Sequence, residues 1–333
     1  MQNKNIITFI KKIGVFLLPV FALIIWYLNS DPFKVIHTYR TYSNQPIDLN
    51  QGYISWQSYL NHKDSLKYDS FIFGNSCTMA YPTTLWKNYL QGASAIRLNG
   101  NSESLYAIHK KIKRLDELGV PIKNILLLLD HNTLRKLAKT NSHSRILHPD
   151  VSHIKQIEFQ KEFMAAFFNP EFLIPYVDYM VFGKFRNYMK GIIITKDYYR
   201  NNQTNDIINP RELEIEQLGQ SYWDNHKKEF PLRSNKPKEY AQVIFNKQNK
   251  ILNEINEIFK KHHTNYQIII NPEWSQRKLN NLDLKQLKSL FDPGRIHNFS
   301  GKNQYTQNKT YFYEKNHYRP LLGKIILQEI YKQ

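Results

Sequence analysis

The chain has 333 residues and one cysteine, a size that fits one large domain or a domain with a sizeable insertion, and a cysteine count that excludes an intramolecular disulfide framework. Hydrophobic residues make up 41% and aromatic residues 14%, with 22 Tyr and 19 Phe, enough for a real, aromatic-rich core. The formal charge of +18 calls for a polyanionic neighbour, whether nucleic acid, anionic lipid or an acidic cell-surface polymer, and the compartment decides among them.

The N-terminus speaks to compartment. From Ile13 to Leu28 the sequence is uncharged and strongly apolar, with Lys4, Lys11 and Lys12 before it. A bilayer span takes ~20 apolar residues, ~17 at the least, and the uncharged Asn29 and Ser30 extend the run to that length. Trp26 and Tyr27 suit a membrane interface, and the lysines place the N-terminus inside. A buried core helix and a cleaved signal peptide are the alternatives. Lysines on one side only, so near the terminus, argue against the first. Asn29-Ser30-Asp31-Pro32 offers no small-x-small cleavage site, which argues against the second. Residues 1–30 are therefore expected to form a cytoplasmic stub and a single-pass transmembrane anchor of the inner or plasma membrane, and residues 31–333 an extracytoplasmic domain. An outside location makes nucleic acid an unsuitable partner. It leaves the membrane surface and anionic envelope polymers to account for the charge.

Residues 29–66 read as a connector packed onto the domain through Tyr39, Tyr42, Tyr53 and Trp56. An α/β pattern begins at Tyr68. Ser70–Phe73 is a short β-favouring run that stops at Gly74-Asn75-Ser76, before a helix-like Thr84–Leu90. Ala95-Ile96-Arg97-Leu98 is a second strand ending at Asn99-Gly100-Asn101-Ser102. Leu105, Ile108, Ile112 and Leu115 then recur at helical spacing. The continuous apolar run Ile125–Leu129, ending at Asp130-His131-Asn132, reads as a strand buried on both faces. Three strand-to-turn junctions separated by helices describe a parallel sheet covered by helices, an α/β fold.

Residues 136–236 break that rhythm with Asn169-Pro170, Ile174-Pro175 and Asn209-Pro210, and read as a mostly helical insertion. Phe163, Phe167, Phe168, Phe172, Tyr176, Tyr179 and Phe182 give it an aromatic face, for core packing or for a lid, membrane or partner surface. The α/β pattern returns with a helix over Tyr240–His262, a strand at Tyr266–Ile270, a helix over Leu279–Phe291 and a closing helix, Leu321–Tyr331.

A strand that stops at a small-residue turn leaves that turn at the C-terminal edge of a parallel sheet, where ligands bind. Ser76 sits at such a turn. A serine hydroxyl needs a base to become a nucleophile, and His317 is the candidate. Glu314, three residues earlier, can fix the imidazole tautomer and orientation. Cys77 offers an alternative nucleophile beside the same turn, although a free Cys is often a small buried hydrophobe. His143, His148, Asp150 and His153 cluster in sequence, but a spacing of five does not stack histidines on a helix face, so no metal site and no cofactor is expected.

Gly74-Asn75-Ser76, Asn99-Gly100-Asn101, Asp130-His131-Asn132 and Glu314-Lys315-Asn316-His317, in that order, resemble the blocks of the SGNH (GDSL-like) hydrolase superfamily. The resemblance covers roughly residues 68–135 and 265–330; the insertion is unmatched. It implies a flavodoxin-like three-layer fold and a Ser76–His317–Glu314 triad. It implies oxyanion donors at Gly100 and Asn132. The chain departs from the pattern in having Asn75 and Glu314 where Asp is usual, and in lacking a clean Gly-x-Asn-Asp third block. The anchor, the insertion and the late Glu-x-x-His look like the membrane-anchored branch that includes alginate O-acetylation and teichoic-acid D-alanyl transfer proteins. That branch implies an O-acyltransferase or esterase acting on an envelope polymer, with a multi-pass membrane O-acyltransferase as partner. The rival expectation is a catalytically inactive scaffold or polymer-binding subunit of an envelope modification complex.

Overall fold

The computed structural model describes residues 2–195, 199–236 and 238–332. Met1, residues 196–198, Pro237 and Gln333, which fall within the expected anchor, insertion and outer domain, lie outside the described residues. Five parallel strands form the central sheet: β1 (Ser70–Phe73), β2 (Ala95–Arg97), β3 (Asn124–Leu129), β4 (Asn265–Ile270) and β5 (Ile296–Asn298). Their spatial order is β2-β1-β3-β4-β5. The chain winds outward from β1 to β2, then reverses to add β3 on the other side. The reversal opens a crevice between the C-terminal ends of β1 and β3, the place where doubly wound sheets bind ligands.

Side chains alternate across each strand, and the alternation builds two cores. Phe71, Phe73, Ile125, Leu127, Leu129, Ile268 and Ile270 point to one face. There they meet α2 (Gln51–Leu66), α3 (Leu105–Glu117), α7 (Asn246–Lys261) and α8 (Asn281–Leu290). Ile72, Leu126, Leu128 and Ile269 point the other way, onto α9 (Pro320–Ile330) and onto Ile215, Tyr222, Trp223 and Phe230 of the insertion. Residues Ile125 to Leu129 are wholly buried because both faces are covered.

α1 (Gln2–Ser30) is one helix, and Ile6–Ser30 is long and apolar enough to span a membrane. An anchor and a signal sequence share that property. Its last turn does pack: Tyr27 and Trp26 meet α4 (Gln156–Phe168) and α5 (Pro170–Phe182). These helices, with Phe33, Tyr42 and Ile47 of the connector, form a third core. Buried Asp31 organises the turn after α1 by accepting hydrogen bonds from the Val35, Ile36 and His37 N–H groups. The aromatic face expected of the insertion is thus divided. Phe163, Phe167, Phe172 and Tyr176 are core, and Phe182 is exposed.

The insertion also reaches the sheet. Arg97 N–H donates to Thr204 O across the open edge of β2, and the wholly buried Arg97 guanidinium donates to Asn205 O at 2.6 and 3.2 Å. α6 (Pro210–Leu218) follows. The helix expected over Tyr240–His262 begins only at Asn246. Lys238 and Glu239 instead pair with Arg277 and Lys278, and the Val243 and Ile244 N–H groups donate to buried Asp283.

Lys111, on α3, is fully buried and ion-paired to Glu103 at 2.6 Å, and it donates to the carbonyls of Leu98 and Asn99. It therefore fixes the turn after β2. Lys111→Ala strands the Glu103 carboxylate in the interior and is expected to cost about 3–5 kcal/mol of stability by denaturant titration.

Candidate active site

β1 ends because Gly74 turns the chain. Its φ is +148°, and an ideal Cβ there would stand 2.8 Å from Leu128 Cβ and 3.0 Å from Leu128 O on the neighbouring strand. No other residue fits so close an approach without moving β3. Asn75 then caps a short 3-10 turn, Ser76–Ala80, its Oδ1 accepting from Cys77 N–H at 2.9 Å. Its Nδ2 donates to Asp130 Oδ2 at 2.6 Å, which ties the ends of β1 and β3 together across the crevice. From behind, α9 presses on the same turn. Gly323 comes so near that a Cβ would meet the Ala80 carbonyl at 1.9 Å.

The opposing wall is a hairpin, β6 (Phe312–Glu314) and β7 (His317–Tyr318). It presents His317 to Ser76. His317 Nε2 stands 2.7 Å from Ser76 Oγ, and Nδ1 is hydrogen-bonded to Glu314 Oε1. Glu314 Oε2 accepts the Asn316 N–H at 2.7 Å, so the carboxylate is held at both oxygens. Burial raises the Glu314 pKa, but the His317 hydrogen bond and charge, the Asn316 N–H and the charge of Arg211 outweigh it and hold the carboxyl below its usual range. The half-buried Ser76, His317 and Glu314 have the connectivity of a nucleophile, a base and an orienting acid.

The hairpin is clamped by residues that sequence reasoning did not single out. Arg211 Nη1 donates to Glu229 at 2.6 Å and to Tyr313 O at 3.3 Å. Tyr222 OH donates to Tyr313 O at 2.8 Å, and Trp223 Nε1 to Phe312 O at 3.0 Å. Glu212 accepts from Tyr313 OH and from the Arg319 guanidinium. Of these residues Arg211, Glu212, Tyr222, Trp223 and Glu229 belong to the insertion; Phe312, Tyr313 and Arg319 do not. Pro210 at the first turn of α6 and the alternation of Trp, Tyr and acid around it were the available signals.

The structure places the two residues expected as oxyanion donors, Gly100 and Asn132, as follows. Gly100 N–H donates to Gly74 O at 3.2 Å and is already committed. Asn132 is exposed on a short helix, His131–Arg135, whose N-cap Asp130 takes the place beside Asn75. Asn99 and Asn101 line the cavity beside Ser76 together with Asn44 and Gln45, and Asn101 Nδ2 donates to Asp48 Oδ2 at 3.4 Å. That cavity measures about 530 Å³ and mixes Asp48, Gln51 and Arg200 with Ile47, Leu49, Ile193 and Ile207. Ser76 N–H, at the head of its 3-10 turn, is bonded to no carbonyl or side chain among the described residues.

Cys77 is turned inward. Burial pushes its thiol well above the ordinary range, and Sγ lies 3.6 Å from Asn316 O. A thiolate nucleophile does not form there. The histidine cluster is dispersed as well. His148 bonds Gln57 and the Asp150 N–H, Asp150 pairs with Arg114, and His143 packs on Phe33. Among the described residues no three His, Cys, Asp or Glu side chains are grouped to hold a metal ion.

No protein-family model and no curated protein matches this chain.

Because the folded Glu314 pKa lies below its unfolded value, of about 4.3, its contribution to stability is present above that value and is lost as pH falls through the folded pKa. Wild type minus Glu314→Gln stability, measured by urea titration across a pH series, is expected to be largest near neutrality and to shrink in acid.

Proposed function

We propose that the protein is a serine acyl-transfer enzyme of SGNH-like type that takes an acyl group from an ester onto Ser76 and passes it to water or to a hydroxyl of a cell-envelope polymer. The observation that carries the reading is the 2.7 Å contact between Ser76 Oγ and His317 Nε2, with Glu314 on the far side of the ring. The strand order and the placement of Ser76 at the reversal between β1 and β3 support it.

In the first half-reaction His317 Nε2 takes the Ser76 proton as Oγ bonds to the acyl carbon. We assign stabilisation of the developing oxyanion to Ser76 N–H and to the amide of Asn99, which lines the adjoining cavity. The ester C–O bond then breaks, and His317 gives its proton to the departing oxygen. In the second half, water or a polymer hydroxyl loses a proton to His317 and attacks the acyl carbon. The bond to Ser76 breaks, and the proton returns to Oγ. Glu314 stays ionised throughout and holds Nδ1–H.

The apolar α1 supports a membrane-anchored enzyme with its domain outside the cell, and the +18 charge supports an anionic polymer acceptor beside a membrane O-acyltransferase donor. The inactive scaffold is the second reading, and the committed Gly100 N–H is the observation that favours it.

Full-length protein treated with a fluorophosphonate probe is expected to label, and Ser76→Ala to abolish the label. Absence of label on folded wild type would favour the scaffold. Glu314→Gln leaves the imidazole in the wrong tautomer and is expected to slow labelling about 10³–10⁴-fold. Arg211→Ala, which loosens the hairpin without touching Ser76, is expected to slow it about 10²-fold at most.

A further inference from the structure

α5 is built for two environments. One side, with Phe172 and Tyr176, is buried against Phe33, Phe167 and Trp26. The other side leaves Ile174, Val181 and Phe182 exposed at 59, 63 and 67%. Ile174 and Val181 lie two turns apart on one face, and Phe185 and Tyr188 extend the apolar surface beyond the helix. A water-facing helix face would be polar at these positions. Lys184, Arg186 and Lys190 flank the patch, with the Arg186 guanidinium over the Phe182 ring and paired with Asp178 at 2.7 Å.

What covers this face follows from its neighbour. The buried side of α5 packs on the last turn of α1: the Trp26 and Tyr176 rings lie 5.8 Å apart, and Phe167 of α4 touches both Trp26 and Tyr27. From Ile13 to Ala22 the side chains of α1 are exposed and apolar, and its packing onto the domain begins with Leu23 and this turn. The α4–α5 pair is thus fixed where α1 would leave a bilayer. Aromatic and basic residues at that level are characteristic of interfacial segments.

We propose that the exposed face of α5 and the turn after it lies in the interfacial layer of the same bilayer that α1 crosses, a second membrane contact rigidly joined to the anchor. The lysines and Arg186 face the lipid phosphates, while Ile174, Val181 and Phe182 enter the acyl boundary. Burial of such a face reaches about 5–10 Å, much shallower than the middle of a spanning helix. The domain is thereby held in one orientation on the membrane rather than swinging on a tether.

The test uses the full chain in phosphatidylcholine–phosphatidylglycerol vesicles containing lipids spin-labelled either near the headgroup or deep in the acyl chain. Phe182→Cys, Leu17→Cys and Leu282→Cys are each labelled with bimane, with the wild type, whose Cys77 is buried, as the blank. Bimane at position 182 is expected to be quenched several-fold more than at the exposed position 282, and more by the shallow label than by the deep one. Position 17 should show the reverse depth preference. Equal quenching at 182 and 282, with position 17 still quenched, overturns the proposal and keeps the anchor, and assigns the face to a protein partner instead. No quenching at position 17 removes the spanning helix and overturns the proposal with it. Val181→Asp in the Phe182→Cys background should lower the quenching at 182; unchanged quenching also counts against it.

Discussion

The chain's exit from β1 is the constraint on which the site depends. Gly74 runs so close to Leu128 that the backbone has one way to turn, and Gly323 lets α9 close on the following 3-10 turn from the opposite side. Between these two contacts the position of Ser76 is set by backbone packing, not by its own side-chain interactions. The Asn75–Asp130 hydrogen bond adds a cross-link over the mouth of the crevice. An asparagine at this position is therefore not a weakened aspartate. Its amide does what a carboxylate facing Asp130 could not do without taking up a proton.

The insertion, although it interrupts the sheet pattern, is part of the site. Its first section joins the last turn of α1 and the connector. Its second seals the edge of β2 through Thr204 and Asn205, which removes an open strand edge beside the cavity. Its third, around α6, grips the hairpin that carries Glu314 and His317. Two of these sections also bring Ile193 and Ile207 to the cavity wall. A sheet alone would present Ser76; the insertion holds the hairpin that carries His317 and shapes the cavity beside them.

What could be read from the sequence followed from short-range rules. The strands at Ser70–Phe73 and Ile125–Leu129 are apolar runs cut by turn residues, and both lie in the central sheet. The apolar N-terminal run is a helix for the same reason of composition. β5 has no signature in the sequence, because Ile296-His297-Asn298 is three residues with one apolar side chain, a strand made by pairing with β4. The helix starts at Asn246 and not at Tyr240 because Asp283, distant in sequence, takes the N–H groups of Val243 and Ile244. The same limit applied to the site. Glu314 and His317 are near neighbours whose spacing could be noticed, whereas Arg211 and Trp223 act only through a fold that brings them to residues 312 and 313. The hydrogen bond from Gly100 N–H to Gly74 O likewise joins residues distant in sequence, and no local pattern predicts it.

Ser76 and His317 are separated by 241 positions, and the hairpin that presents His317 is held by residues lying between them. As the chain is synthesised from its N-terminus, the serine turn emerges long before the imidazole, and the two meet only after the insertion has folded and the last strands are out. The Ser76 hydroxyl thus has no imidazole beside it until residues 312–318 have been made. The distance along the chain makes the Ser76–His317 pairing a late event, one that reports on the folding of nearly the whole sequence between them.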